Sequence, residues 1–199
     1  MKNYLLELPP TSLFIDGVEY PIQTDFRTVL RYDRIIREER ADGTELDDAL
    51  KLMYGGIPVN VVDAMMQLNW FIRGGEEEKK SGPSRQILGI NNEKPMDYAV
   101  DSRLIWSAFM RVYGIDLRKI EYLHWWEFLD MLEELPEDVR LNKIIRYRTI
   151  DTKNKNLSKD ERSLYTALQK YYRIREKPSE REEQLMEALR NGEDPTPYL

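Results

Sequence analysis

His124 is the one imidazole in the chain, and it sits beside the pair Trp125-Trp126. A metal site built on it would have to draw its remaining ligands from carboxylates, because there is no second histidine and no cysteine. The other use of such a residue is as a core or boundary histidine, hydrogen-bonded to backbone or a carboxylate. The flanking indoles favour that use, since packing alone also perturbs titrating groups. Catalysis by a serine or cysteine triad has no support without cysteine or a G-x-S-x-G elbow. Neither phosphate-cradling run, G-x-x-x-x-G-K-S/T or G-x-G-x-x-G, occurs. Adjacent acids are plentiful at Asp47-Asp48, Glu76-Glu77-Glu78, Glu133-Glu134 and Glu182-Glu183. Catalytic carboxylates must converge from different segments into a sheltered cleft, whereas these fall on predicted polar faces or in a loop. The expectation is a protein that is not an enzyme and takes no cofactor or metal.

Binding is the remaining class of function. Arg140, Lys143, Arg146, Arg148, Lys153, Lys155 and Lys159, with Tyr147 among them, could track a phosphate backbone while the tyrosine stacks on a base. The net charge of −6 argues against that use, and the preferred reading pairs Arg146 and Arg148 with nearby acids at a buried edge. Met53, Met65 and Met66 cluster in the amino-terminal half and suit a tolerant docking surface, because the thioether adapts its shape. Tyr165, Tyr171, Tyr172 and Met186 form a second candidate partner-binding stripe. For both sets, core packing is the default use of apolar groups at helical spacing.

These side chains need a frame, and composition bounds it. The 199 residues are 33% charged and 41% hydrophobic, enough for one domain with a sizeable core. No apolar run approaches the roughly 20 residues that span a bilayer, so no membrane partner is expected. The first residues lack the apolar h-region of a signal peptide, and the absence of cysteine suits a reducing cytoplasm.

The fold centres on residues 101–135. Leu104, Ile105, Phe109 and Tyr113 recur at helical spacing, with Asp101 placed to cap the start and Gly114 to end it. A second helix over about Ile120–Glu134 carries Trp125, Trp126 and Leu129, and the two indoles should dominate the local energetics. Upstream, residues 11–22 read as a β-hairpin turning at Asp16-Gly17. Thr24 is placed to cap a helix to about Arg40, and Thr44 with Asp47 a shorter one ending at Gly55-Gly56. Pro58 suits the first turn of a third, which stops near Gly74-Gly75. Residues 74–95 combine Gly, Pro and mixed charge and predict a flexible linker, with the island Ile87–Ile90 able to dock. Pro136 and Asp138 introduce another helix, and Ser158-Glu161 and Ser179-Glu182 are capping boxes for two more. The expected architecture is mainly α (α+β): a helical bundle with a small N-terminal β-hairpin and a long mobile central loop. As a single domain over 1–199, it comprises hairpin and helices 11–73, linker 74–95, helical core 96–175 and an appended C-terminal helix 179–190.

Four runs stand in order along this frame: Ile22-Gln23-Thr24-Asp25-Phe26-Arg27, Tyr113-Gly114-Ile115-Asp116-Leu117, Leu123-His124-Trp125-Trp126-Glu127-Phe128 and Ile144-Ile145-Arg146-Tyr147-Arg148. Together they resemble a family of small tail-cassette proteins of siphophages and prophages of Gram-positive hosts, over about residues 22–172. The resemblance implies a tail assembly chaperone, encoded near the tape-measure gene, that binds the tape-measure protein and keeps it soluble. Other tail proteins are further partners it allows. It carries over no catalytic residue, and nothing for the charged linker or the extended carboxyl tail. The place implied is the cytoplasm of the bacterial host, or the virion tail if the protein stays there. Two alternatives stand beside it: a minor structural adaptor retained in the tail, and a nucleic-acid-binding accessory using the basic segment.

Overall fold

The computed structural model describes residues 5–38, 43–76, 88–175, 180–192, 194 and 196. Among these are eight helices and one two-stranded antiparallel hairpin at the amino-terminal end, a mainly α fold with a small β element as the sequence predicts. Strands β1 (Ser12–Ile15) and β2 (Val18–Pro21) pair Leu13 with Tyr20 and Ile15 with Val18. Asp16 and Gly17 both take the positive φ that this two-residue turn requires.

Helix α1 (Phe26–Ile36) begins one residue later than the predicted Thr24 cap. Asp25 is the cap, its carboxylate accepting from Arg27 N–H. Thr24 is buried, and its hydroxyl shares a 2.7 Å hydrogen bond with Tyr122. The predicted end near Arg40 lies outside the described residues, and the helix itself stops at Ile36. In α2 (Glu45–Tyr54), Thr44 holds the cap position without a side-chain cap hydrogen bond, and Gly55 closes the helix in the left-handed conformation. Helix α3 (Val61–Ile72) is capped by Asn60, which accepts from Asp63 N–H.

Helix α4 (Ser102–Tyr113) starts where predicted, but Asp101 does not cap it with its side chain. Its buried carboxylate takes two hydrogen bonds from Arg148 of α6 (Arg140–Thr149). A charged partner draws that carboxylate more strongly than a neutral N–H would. The second core helix, α5 (Trp125–Glu133), is also shorter than its expected span of Ile120–Glu134. The peptide groups of Leu123 and Trp125 are already engaged with residues 24–26, so the helix cannot start earlier.

Helix α7 (Lys159–Tyr172) opens on the predicted capping box, with Ser158 and Glu161 bonding reciprocally. Helix α8 (Glu180–Asn191) follows, its predicted Ser179 cap lying outside the described residues. Of the expected linker 74–95, residues 77–87 lie outside the described residues. The part after them is pinned: Ile90 bridges Ile150 antiparallel, Asn91 N–H donates to Thr149 C=O at 2.7 Å, and Asp151 N–H donates to Gly89 C=O at 2.8 Å. Asn91 Nδ2 also donates to Arg148 C=O and Ile150 C=O, satisfying the last carbonyls of α6.

An aromatic stack holds the core. Phe128 lies between Phe26 of α1 and Phe109 of α4, with centroids 4.9 and 5.3 Å away and planes within 17° of parallel. Trp125 stacks on the same ring at 5.5 Å. Leu68 and Phe71 of α3 and Met53 of α2 complete the cluster, every one fully buried.

Candidate functional site

Two of the sequence runs, residues 22–27 and 123–128, meet in space. Asp25 and His124 pair as a short antiparallel bridge, and each is the cap of a helix. Phe26 N–H donates to Leu123 C=O at 3.0 Å, and Trp125 N–H donates to Thr24 C=O at 2.7 Å. Each helix's first N–H, an orphan in an isolated helix, is therefore satisfied by the carbonyl preceding the other helix's cap. His124 Nδ1 accepts from Trp126 N–H at 3.0 Å. That bond fixes the proton on Nε2, which donates to Pro10 C=O at 3.1 Å. Arg27 completes the junction: its guanidinium grips Asp25 at 2.7–2.8 Å and donates to the Ile120 and Glu121 carbonyls. Partial burial works to raise the Asp25 pKa, but the hydrogen bonds and charge of Arg27 outweigh it and hold the carboxyl below its ordinary range.

The two indoles that follow finish α3. Trp125 Nε1 donates to Ile72 C=O and Trp126 Nε1 to Phe71 C=O, both at 2.8 Å. Adjacent helical residues diverge in direction, yet both rings are buried, because α5 abuts the end of α3 at its own first turn. Gly75, at φ +74°, passes over the Trp126 ring; a Cβ there would lie 2.7 Å from Cζ2. This junction is a structural clasp, and every polar group of it described above is engaged.

The run 113–117 makes a second clasp. Asp116 accepts from Trp106 Nε1 at 2.8 Å and from Arg118, whose guanidinium lies 4.3 Å over the Trp106 ring. The Arg118 and Trp106 hydrogen bonds hold the Asp116 carboxyl well below the usual range. Among the described residues, no three His, Asp or Glu side chains are grouped to hold a metal ion.

The candidate binding residues divide by burial. Met53 is fully enclosed in the core, and Met65 is half-buried against Ile15, Leu50 and Ala64. Met66 alone of the three is open, 65% exposed. It shares the outer face of α3 and its lead-in with Val62, 71% exposed, and Val59, 96% exposed. The sequence signal for this face was the run I-P-V-N-V-V, denser in apolar residues than one buried stripe uses; Val59 and Val62 were not among the expected candidates.

On α7, Tyr165 and Tyr172 are half-buried and flank Tyr147 at 6.4 and 5.9 Å, while Tyr171 projects outward, 79% exposed. Met186 on α8 is exposed. Of the expected core residues, Ile105, Phe109, Trp125 and Trp126 are buried, and Leu104, Tyr113 and Leu129 pack against them half-buried. Gly114 is exposed, and its role is the left-handed end of α4. In the basic segment, Arg148 is buried and committed to Asp101, Pro95 C=O and Tyr172 C=O, so it offers no open cation to a phosphate.

Neither the curated proteins nor the solved structures gave a match to this chain. The family model described as Bacteriophage Gp15 protein matches residues 6–174, a span that holds both clasps, the α3 face and the Asp101–Arg148 pair and ends before α8. Most of the chain lies within that match, and the protein belongs to the Bacteriophage Gp15 family.

Proposed function

We propose that this phage protein acts in tail morphogenesis as an assembly chaperone, binding the tape-measure protein without chemistry of its own. The observation that supports it most is the outward apolar face of Val59, Val62 and Met66 on a helix whose opposite side is core. A tape-measure helix carries an apolar stripe that is buried on assembly and is an aggregation hazard before it. An exposed apolar face with an adaptable methionine suits such a stripe. The clasp at the end of α3 anchors the helix that carries that face, so little order need be gained on binding. Action in the host cytoplasm fits this role, and no helix among the described residues is long and apolar enough to cross a membrane.

Co-expression tests the reading. The soluble yield of the cognate tape-measure protein rises with the wild-type chain and the two copurify. Val62→Asp with Met66→Asp abolishes both effects while leaving the circular dichroism spectrum and melting temperature unchanged. Copurification changes little between about 50 and 200 mM salt, whereas a phosphate-tracking interaction would weaken steeply. Mass spectrometry of purified particles separates a released chaperone from a retained adaptor, which would be present in stoichiometric copies. No gain in tape-measure solubility, together with salt-sensitive DNA binding, would overturn the reading in favour of a nucleic-acid accessory.

A further inference from the structure

Two concavities lie away from both clasps, between the docked segment 91–94 and the end of α7. A cavity of about 230 Å³, with Arg148 in its wall, lies beside a wider groove of about 830 Å³ that shares the Lys94, Lys170 and Arg173 margin. The cations around them are unequally committed. Lys94 is bonded to Asp97 at 2.6 Å, and Arg148 to Asp101. Among the described residues, the ion pair of Arg173 is a 3.6 Å, solvent-exposed contact with Glu93. Lys170 and Arg175 have no ion pair among the described residues. Four cations thus line one groove beside Glu93, and three of them, Lys170, Arg173 and Arg175, are weakly committed, in a chain whose net charge is −6.

We propose that this groove docks an acidic segment of a partner protein, its carboxylates meeting Lys170, Arg173 and Arg175 and its aliphatic stems lying on Ile174. Two features suit that occupant. The carbonyl dipoles at the end of α7 would repel an anion, but Tyr172 C=O is already covered by Arg148 Nε at 2.7 Å. The arginine fork also matches a carboxylate in two-point geometry. Nucleic acid fits less well. Its phosphates continue past any short site into the field of a chain whose net charge is −6, whereas a short acidic segment can end at the groove. The inference is independent of the chaperone reading, because it concerns a different face and a different chemistry.

The test is fluorescence anisotropy on the full chain with three labelled probes: a Glu-rich amphipathic peptide, its Lys-for-Glu counterpart and a 20-nucleotide single-stranded DNA. The Glu-rich peptide binds and the other two do not. The triple variant Lys170→Gln, Arg173→Gln, Arg175→Gln weakens its binding at least tenfold, and Arg103→Glu, an exposed cation elsewhere, does not. Thermal melts of both variants match wild type, and the milder pair Lys170→Gln, Arg175→Gln gives a partial loss should the triple variant melt early. Absence of peptide binding, binding unchanged in the variants, or preference for the DNA would overturn the proposal. Because no tape-measure protein is present, none of these outcomes depends on whether the chaperone reading holds.

Discussion

Asp101 and Arg148 form a two-pronged ion pair, with Nη1–Oδ2 at 2.7 Å and Nη2–Oδ1 at 2.9 Å, and both side chains are buried. Desolvating two charges costs about as much as their attraction returns, so the pair adds little net stability over an apolar substitute. What it adds is connection: Arg148 also donates to Pro95 and Tyr172 carbonyls, joining the start of α4, the end of α6, the end of α7 and the docked segment. Removing one partner leaves the other buried and unpaired. Asp101→Ala is therefore expected to lower stability by about 3–5 kcal/mol in urea denaturation. Arg148→Met combined with Asp101→Leu recovers a large part of that loss.

The two indoles give a paired prediction. Trp125→Ala and Trp126→Ala each remove a buried ring and are expected to cost about 3–5 kcal/mol. Trp126→Phe keeps much of the apolar volume but removes one of two donors to Phe71 C=O, which still accepts from Gly74 N–H, and a loss of about 1 kcal/mol is expected. Urea midpoints at constant m-value measure all three. If the phenylalanine variant equals wild type, the Nε1–carbonyl bond contributes nothing.

Gly75→Ala tests the same junction from the other side. The backbone there is left-handed and the new Cβ would press on Trp126, so strain and steric displacement act together. A loss of about 1–3 kcal/mol is expected in thermal melts. Gly114→Ala, at a similar φ but with open space around it, should cost only about 1 kcal/mol.

Acid sensitivity should trace partly to Asp97. Burial works to raise its pKa, but the Lys94 hydrogen bond and the backbone N–H groups of Val100 and Ala99 outweigh that and bring it from 3.8 to about 2. A carboxyl whose pKa is depressed on folding stabilises the fold above its ordinary value and loses that contribution as pH falls toward the folded value. The Asp97→Asn penalty should therefore be full at neutral pH, shrink from about pH 4 downward and vanish only below the folded value of about 2. Chemical denaturation across that range reads it directly; a penalty independent of pH would show that the carboxylate charge is immaterial.

Elements whose signals are local were legible in the sequence. Asp16-Gly17 specified the hairpin, Ser158-Glu161 the start of α7, and Gly55 and Gly114 two helix ends, because each works through neighbours a few residues away. The candidate site was legible as sequence runs but not as a constellation. Helix α5 was expected from Ile120, yet it starts at Trp125, since Leu123 C=O and Trp125 N–H bond to residues 24–26. Asp101 has the right type and place for a cap, and only the approach of Arg148 diverts it. Asn91 looks like a linker residue, yet its side chain closes the end of α6. In each case a partner distant in sequence took a group whose local use was the reasonable expectation.

The bridge between Asp25 and His124 has a kinetic consequence. The first N–H of α1 finds its acceptor only when a stretch of about a hundred residues has closed, a step opposed by loop entropy. During synthesis, α1 emerges long before Leu123 leaves the ribosome, so the amino-terminal half waits with that end unfinished and Phe26 uncovered. Closure then completes two helix starts and the aromatic stack in one event. Folding should thus be all-or-none and slow for a helical protein, its rate set by that single long-range encounter.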